Sequence, residues 1–392
     1  MKKILYVEQN TDGTIGGSHF TLLYLIQSLP KNNYKPVIFF YENNDLINLF
    51  EKEGKIEIKN LKGYIHAPKI ISKVLNMLLY IKYLAYCIWF LNSNKINLIH
   101  LNNAVFGGYD TWLFAAKLLR ISCITHERGY KDYNIWKKSM LFRLFAYRYD
   151  KILAVSDVIR NNLISHGFNK NQVITVYDGI DVKKYINKVR KSPIAIRNDL
   201  GIDKKVFVIG MIGNIRRKKG QEYLIECLNI VNKEFENFIC LLVGDISKNN
   251  KEDEEYFKTI ESKIAKYKLT DKIIFTGYRT NVPELINMFD IQINASITPD
   301  PFPHVILEGM SLGKPIIATN LGGAIESVEN GQTGYLIKPD DVNDFAKKVL
   351  YLIYNPIVLN NFSRQAKKQI EKFSLYKNVN NILNIYEKLI KI

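Results

Sequence analysis

Short apolar runs alternate along this chain with longer segments whose apolar residues recur at helical spacing, and the series begins twice. Ile4-Leu5-Tyr6-Val7 reads as a buried strand, residues 9–18 as a Gly-rich loop, and residues 19–29 as a helix. Further strand-like runs fall at 37–41, 56–59, 96–101, 121–125, 152–156 and 173–177. The polar stretch 183–205 has little core character, and the domain linker is placed there. Strand signals resume at 206–212 and recur at 238–243, 273–275, 291–295 and 315–319. Helical signals lie at 221–231 and 341–354, and a last helix at about 377–391 is long enough to cross back onto the first half. Strands that are Ile-, Leu- and Val-rich and alternate with helices predict parallel sheets covered on both faces. At 392 residues, two such domains are expected.

The stretch DPFPHVILEGMSLGKPIIATNLGG, residues 300–323, gathers the most chemistry. Pro301 and Pro303 disfavour helix before about residue 304, and Gly313-Lys314-Pro315 closes the helix that follows. Asp300 lies on the approach and Glu308 about one turn inside the helix. Unpaired N–H groups and the dipole at such a helix start suit phosphate. A carboxylate one turn in can accept hydrogen bonds from a vicinal diol such as ribose. An ordinary αβ unit with a solvated Glu308 would carry the same residues. A second cluster follows the strand 206–212, where Gly213-Asn214-Ile215-Arg216-Arg217-Lys218-Lys219-Gly220 puts four consecutive cations on a strand–helix loop. Such a loop faces an anion, a diphosphate by this reading, or is simply solvated. Thr276-Gly277-Tyr278-Arg279 is a loop suited to backbone contacts with a base. Lys248 to Glu255 reads as an acidic, mobile segment, and Gly331 to Gly334 as a hairpin-like loop.

In the first half, Gly16-Gly17 either admits a phosphate or sugar to the backbone or makes a tight turn. The glycines do not spell G-x-G-x-x-G, which disfavours a dinucleotide-binding dehydrogenase. His126-Glu127-Arg128-Gly129 sits at the expected end of the strand 121–125, where open parallel sheets bind ligands. His126 there either touches substrate or is structural.

The net charge of +17 is shared, with 23 basic and 14 acidic side chains in residues 1–182 and 32 against 24 in the remainder. That distribution argues against a single nucleic-acid arm and favours nucleotide phosphates, pyrophosphate-linked lipids or an anionic membrane face. Cys87, Cys123, Cys227 and Cys240 form no C-x-x-C and read as reduced core residues of a cytoplasmic protein. The N-terminal apolar run is too short for a signal peptide, so export is not expected. Residues 70–91 are the most apolar stretch, but Lys73 and Lys82 interrupt it. A lysine near a bilayer centre costs about 2.5–3.5 kcal/mol, which favours a core helix with an exposed aromatic flank (Tyr80, Tyr83, Tyr86, Trp89) over a span. Residues 133–151 interleave aromatic and basic side chains, as a helix on an anionic membrane or an amphipathic surface helix would.

Taken in order, these segments resemble a GT-B glycosyltransferase of family 4, the retaining E-x7-E group. GNIRRKKGQEYLIE resembles the family's phosphate loop, residues 300–323 its E-x7-E segment, and GGAIESVENGQTGYLI the motif that follows. AVSDVIRNNL and VYDGIDVKKY are similar to its strand and linker motifs. The resemblance implies two Rossmann-like doubly wound domains facing a central cleft. Residues 1–185 with 375–392 would form the acceptor-binding domain, and residues 186–374 the donor-binding domain. It implies that Lys219 binds the donor diphosphate and stabilises it as leaving group, that Glu308 holds the ribose, and that Asp300 holds the donor sugar's hydroxyls. It further implies donor contacts from Gly16, Gly17, Asn214, Arg217, Gly277, Tyr278, Arg279, His304 and Val305, and a catalytic place for His126 near the donor sugar.

Three departures stand out. Asp300 is one methylene shorter than the family's glutamate, Asn214 replaces its phosphate-binding arginine, and Pro303 stands where glycine is common. Arg216, Arg217 or Lys218 would have to replace the charge missing at Asn214. The implied reaction moves a sugar from a UDP- or GDP-sugar to a hydroxyl of a glycan acceptor, lipid-linked, in bacterial capsule, O-antigen or exopolysaccharide synthesis. It needs no metal; the chain contains no D-x-D. Expected partners are the donor, the acceptor and an anionic membrane surface, without nucleic acid, at the cytoplasmic face of the plasma membrane. The alternative is a non-catalytic nucleotide-sugar-binding scaffold of a polysaccharide assembly complex.

Overall fold

Two all-parallel sheets carry the fold in the computed structural model, which describes residues 1–8, 17–58, 73–102, 111–130, 148–247 and 250–390. The first holds β1 (Lys2–Glu8), β2 (Tyr34–Phe40), β3 (Lys55–Ile58), β4 (Leu98–Asn102), β5 (Ser122–Glu127), β6 (Lys151–Ala154) and β7 (Val173–Thr175). Its order is β3-β2-β1-β4-β5-β6-β7. The second holds β8 (Phe207–Ile212), β9 (Phe238–Val243), β10 (Ile273–Gly277), β11 (Ile291–Asn294), β12 (Ile316–Thr319) and β13 (Gly334–Ile337), in the order β10-β9-β8-β11-β12-β13. Each order reverses direction once, between β1 and β4 and between β8 and β11, the switch points where doubly wound sheets open toward ligands. The central strands are buried on both faces, which accounts for their unbroken apolar runs.

The chain separates into two compact units, Met1–Gly179 with Leu375–Ile392, and Ile180–Ser374. The last helix, Leu375–Ile390, packs within the first unit. There the Tyr386 hydroxyl lies 2.5 Å from His100 Nδ1 and 3.2 Å from the Tyr6 hydroxyl. All four cysteines are buried free thiols.

Several local expectations change. The stretch 183–205 is ordered rather than a bare linker. Helices Val182–Ile186 and Pro193–Asp199 bury Tyr185, Ile196 and Arg197, and Arg197 Nη2 pairs with Asp290 Oδ2 at 2.9 Å. The acidic segment near 250 opens the helix Lys251–Lys266, because the Asn250 side chain caps the N–H groups of Glu252 and Asp253. Residues 331–333 make the tight turn expected of a hairpin-like loop, the Gly331 N–H donating to the Gly334 carbonyl at 2.8 Å, and Gly334 then opens β13, parallel to β12. On the helix Lys73–Asn94, Tyr83 points inward, not into the exposed flank, because its hydroxyl meets that of Tyr41 at 2.8 Å inside the core. Most of residues 133–151 lie outside the described residues, as does Gly16.

Candidate functional site

The second unit's sheet end is built from three glycine turns held backbone to backbone. Gly213 leaves β8 at φ +149°, its N–H donating to the Val243 carbonyl at 2.9 Å. Gly244 leaves β9 at φ +142°, donates to the Gly277 carbonyl at 3.1 Å, and would meet the Gly213 carbonyl at 2.2 Å if it carried a Cβ. These contacts bring Gly277, and Tyr278 and Arg279 beyond it, beside the loop that holds Asn214. Tyr278 is 78% exposed, with its ring free to stack on a planar group. Asn214 is exposed, and its carbonyl accepts from Gln221 Nε2 at 3.0 Å.

After Asn214 the chain makes one 3-10 turn, Arg217–Lys219, and enters the helix Gln221–Glu234 through Gly220. Gly220 sits at φ +75° with the Ala295 carbonyl 2.0 Å from where a Cβ would stand, so only glycine fits. The Ile297 N–H donates to the Lys218 carbonyl at 3.0 Å and pins the loop beside the segment after β11. That segment delivers Asp300. Lys219 Nζ donates to Asp300 Oδ2 at 2.8 Å, with about a quarter of each side chain exposed. Two residues 81 positions apart thus form one ion pair at the sheet's C-terminal edge.

Asp300 is held from behind. The Gly323 N–H donates to its carbonyl at 2.8 Å, and Gly322, at φ +57°, leaves its backbone the room a Cβ would take. Phe302 is buried against Phe373, and Pro303 then caps the helix His304–Ser311 without a side-chain hydrogen bond. The helix packs close on the sheet: Gln292 of β11 donates to the Val305 carbonyl at 2.6 Å, and a Cβ on Gly309 would meet Gln292 Oε1 at 2.4 Å. Glycine after Glu308 therefore sets the depth of that carboxylate. Burial pushes the Glu308 carboxyl above the usual range, while His304, a hydrogen bond from Tyr185 and the charge of Lys188 pull the other way. Tyr185 closes the VYDGIDVKKY motif and Lys188 follows it in the stretch read as linker, and neither was expected beside Glu308.

Arg216 and Arg217 of the same loop have other partners. Arg216 Nε donates to Asp253 Oδ2 at 3.0 Å and its Nη2 to Ser247. The Arg217 guanidinium lies over the Tyr256 ring at 5.2 Å and 3.7 Å from Glu222, in a cavity of about 200 Å³ whose lining includes neither Lys219 nor Asp300. The Arg217 side chain is 59% exposed, so a donor contact from it stays a proposal. Lys218 is exposed, so Lys219 alone of the four meets Asp300.

Residues 15–184 match the sequence model described as "Glycosyltransferase Family 4", and residues 194–369 match "Glycosyl transferases group 1". The chain belongs to glycosyltransferase family 4. Among its relatives is a Staphylococcus aureus protein named capsular polysaccharide biosynthesis glycosyltransferase CapM, 26% identical over 67% of this chain and 66% of that one. Another is the Escherichia coli UDP-Gal:alpha-D-GlcNAc-diphosphoundecaprenol alpha-1,3-galactosyltransferase, 23% identical over 76% of each chain. Several matched relatives, the capsule protein included, are covered over only 61–66% of their own length. Among solved structures, Anabaena Alr3699/HepE in complex with UDP superposes with a TM-score of 0.81 at 22% identity, over 99% of this chain and 100% of that one. This likeness shows the GT-B fold.

In this family 4 member the first unit departs from expectation at its histidine. β5 runs through His126 and Glu127 instead of ending before them, and His126 has no exposed surface. Its ring stacks on His100 at 5.6 Å, and its Nδ1 accepts from Arg128 Nη2 at 3.2 Å. Burial first, and then the Arg128 charge, hold the ring neutral, with its pKa well below the usual value. In this structure His126 is buried within that network, and direct contact with a sugar stays a proposal. The Arg128 guanidinium also bonds Asn102 Oδ1 at 3.1 Å and pairs with Asp178, and Asn102 in turn donates to Glu8 at 2.6 Å. This buried chain joins the ends of β1, β4 and β5; the sequence pointed to its His126-Glu127-Arg128 end but not to Glu8, Asn102 or Asp178. Gly17 opens the helix Gly17–Gln27 with nothing within 4 Å of a built Cβ. Among the described residues no group of three or more His, Cys, Asp or Glu side chains could hold a metal ion, and no helix is long and apolar enough to cross a membrane.

Proposed function

We propose that the protein transfers a sugar from a nucleoside diphosphate sugar to a hydroxyl of a lipid-linked glycan, with retained anomeric configuration and without a metal ion. The observation that carries this reading is the Lys219–Asp300 ion pair, set beside the start of the helix that bears Glu308. In it, the diphosphate displaces Asp300 from Lys219, whose ammonium then faces the charge growing on the leaving phosphate. Asp300, released, accepts from the donor sugar's hydroxyls, and ionised Glu308 accepts from the ribose diol. The C1–O bond to the diphosphate breaks as the acceptor oxygen bonds C1 on the same face, and the acceptor's proton passes to the departing phosphate oxygen. Fixed charges act here without reorganising. The backbone groups of Gly277 and the exposed Tyr278 take the base, and the first unit takes the acceptor.

UDP is the favoured nucleotide, supported by the UDP bound to HepE, whose fold this chain shares. The names of the capsule and galactosyltransferase relatives support a surface-polysaccharide acceptor on a polyprenyl diphosphate, handled at the cytoplasmic membrane face. The test is a thermal-shift screen of the full chain across UDP, GDP, ADP and their sugars, followed by donor turnover with and without EDTA. A shift with UDP and EDTA-resistant turnover are expected. No shift with any nucleotide overturns the reading, and a shift without turnover of any donor–acceptor pair makes the chain a binding scaffold instead.

A further inference from the structure

The helix Lys73–Asn94 has two apolar faces, and among the described residues only one is buried in the first unit. At about 100° per residue, Tyr83, Cys87, Phe90 and Leu91 share an arc that is buried in the first unit. There Phe90 packs edge-on to Phe39 and Trp112, and Tyr83 bonds Tyr41. The opposite arc, about 140° wide, carries Met77, Leu78, Ile81, Lys82 and Trp89. Of these, Met77, Leu78, Ile81 and Trp89 are 56, 53, 52 and 60% exposed. At about 1.5 Å per residue the strip from Met77 to Trp89 is roughly 18 Å long. Contiguous exposed apolar surface of this kind marks an interaction site.

Charge says what covers it. From Ile58 to Tyr109 the sequence holds six lysines, Lys59, Lys62, Lys69, Lys73, Lys82 and Lys95, and no aspartate or glutamate. Lys82 stands exposed on the apolar strip itself, and Lys95 is exposed just beyond the helix end. An apolar strip that carries Lys82, in a lysine-rich stretch of sequence, fits the interface of an anionic bilayer, where lysine stems reach the headgroups; Glu57 meets the helix only on its flank, at Tyr86. A protein partner of matching charge would need an acidic rim around an apolar centre; a bilayer presents both by default.

We infer that the outward face of the helix Lys73–Asn94 seats the protein on an anionic lipid surface, lying in the interface rather than crossing it. This rests on the lipid-linked acceptor proposed above, whose diphosphate would lie at the height of the headgroups.

The test is co-sedimentation of the full chain with phosphatidylcholine vesicles with and without phosphatidylglycerol, free of donor and acceptor. Binding to the anionic vesicles is expected, with a blue shift of tryptophan emission that is absent in Trp89→Phe. Met77→Gln/Leu78→Gln/Ile81→Gln/Trp89→Gln should weaken partition by about 10-fold or more. Lys82→Glu, which spares the apolar strip, should weaken it about 5-fold or more on anionic vesicles only. Because these side chains face solvent, the melting temperature of each variant should match wild type. Wild type that stays in the supernatant, or a quadruple variant that sediments like wild type, overturns the inference. So does light scattering that shows a dimer which the quadruple variant loses, since a second copy would then cover the face. Inactive protein that still binds vesicles leaves the docking standing and sinks only the proposed reaction; turnover of a soluble acceptor without vesicle binding does the reverse.

Discussion

Replacing Lys219 with alanine separates what the ion pair does for the fold from what it does for the reaction. In the free protein Lys219 Nζ sits 2.8 Å from Asp300, with 26% and 25% of the two side chains exposed. A pair so open to water is worth about 0–1 kcal/mol. In a unit of this size 1 kcal/mol moves the melting temperature by about 2–4 °C, so Lys219→Ala should melt no more than about 4 °C below wild type. The donor complex is different. There the ammonium faces a diphosphate whose charge rises as the bond breaks, and losing one fixed donor at such a site costs about 3–4 kcal/mol. That is a loss of roughly 10²–10³ in kcat/KM. The nucleotide-dependent thermal shift should vanish as well. Asp300→Asn is the control: it frees the ammonium, so nucleoside diphosphate binding should hold or tighten while sugar transfer falls. The assays are thermal shift with and without nucleotide, and steady-state turnover. A Lys219→Ala enzyme within about fivefold of wild-type kcat/KM, or one whose nucleotide shift is unchanged, would refute the assignment. A fall of more than about 10 °C in the absence of nucleotide would show that Lys219 holds the loop together instead.

Gly220→Ala puts a Cβ 2.0 Å from the Ala295 carbonyl at φ +75°, so the loop must move. A loss of at least about 2 kcal/mol in urea unfolding is expected, with turnover lost even where the fold survives. Glu308, its pKa raised by burial, should show donor affinity that is full above that raised pKa and falls as pH drops through it. The fall should begin above the ordinary carboxylate range near about 4.3, and Glu308→Gln should remove this limb from a pH titration of nucleotide binding. The same shift makes the ionised group costly to the free fold, so Glu308→Gln should be the more stable protein at neutral pH. His100 is lowered to about 3 by burial and the Arg128 charge, and His126 lies well below its usual value too. Both favour the folded state fully above the unfolded value near 6.5 and lose that contribution as pH falls below it, for His100 down to about 3. Urea midpoints should therefore drop below about pH 6.5, by up to about 1.4 kcal/mol per pH unit for each ring, and less steeply in His100→Asn.

What the sequence determines by itself is the alternation of buried strands with helices, the glycine turns, and the loops on which the chemistry stands. Each of these is a property of neighbours in the chain: apolar runs need two covered faces, and Gly220 needs a backbone conformation that side chains avoid. Glu308 one turn into its helix and Lys219 at the end of its basic loop were legible for that reason. Tertiary structure alone decides which of four adjacent cations meets Asp300. Arg216 pairs with Asp253 and Arg217 lies over Tyr256, residues far along the chain that strand order brings close. It also decides that β5 extends far enough to bury His126, since Asn102 and Ala154 on the flanking strands reach far enough to pair with that end of β5. The pairing of Lys219 with Asp300 has the same origin: β8 and β11 lie side by side in the sheet, so the loops that follow them open onto one edge.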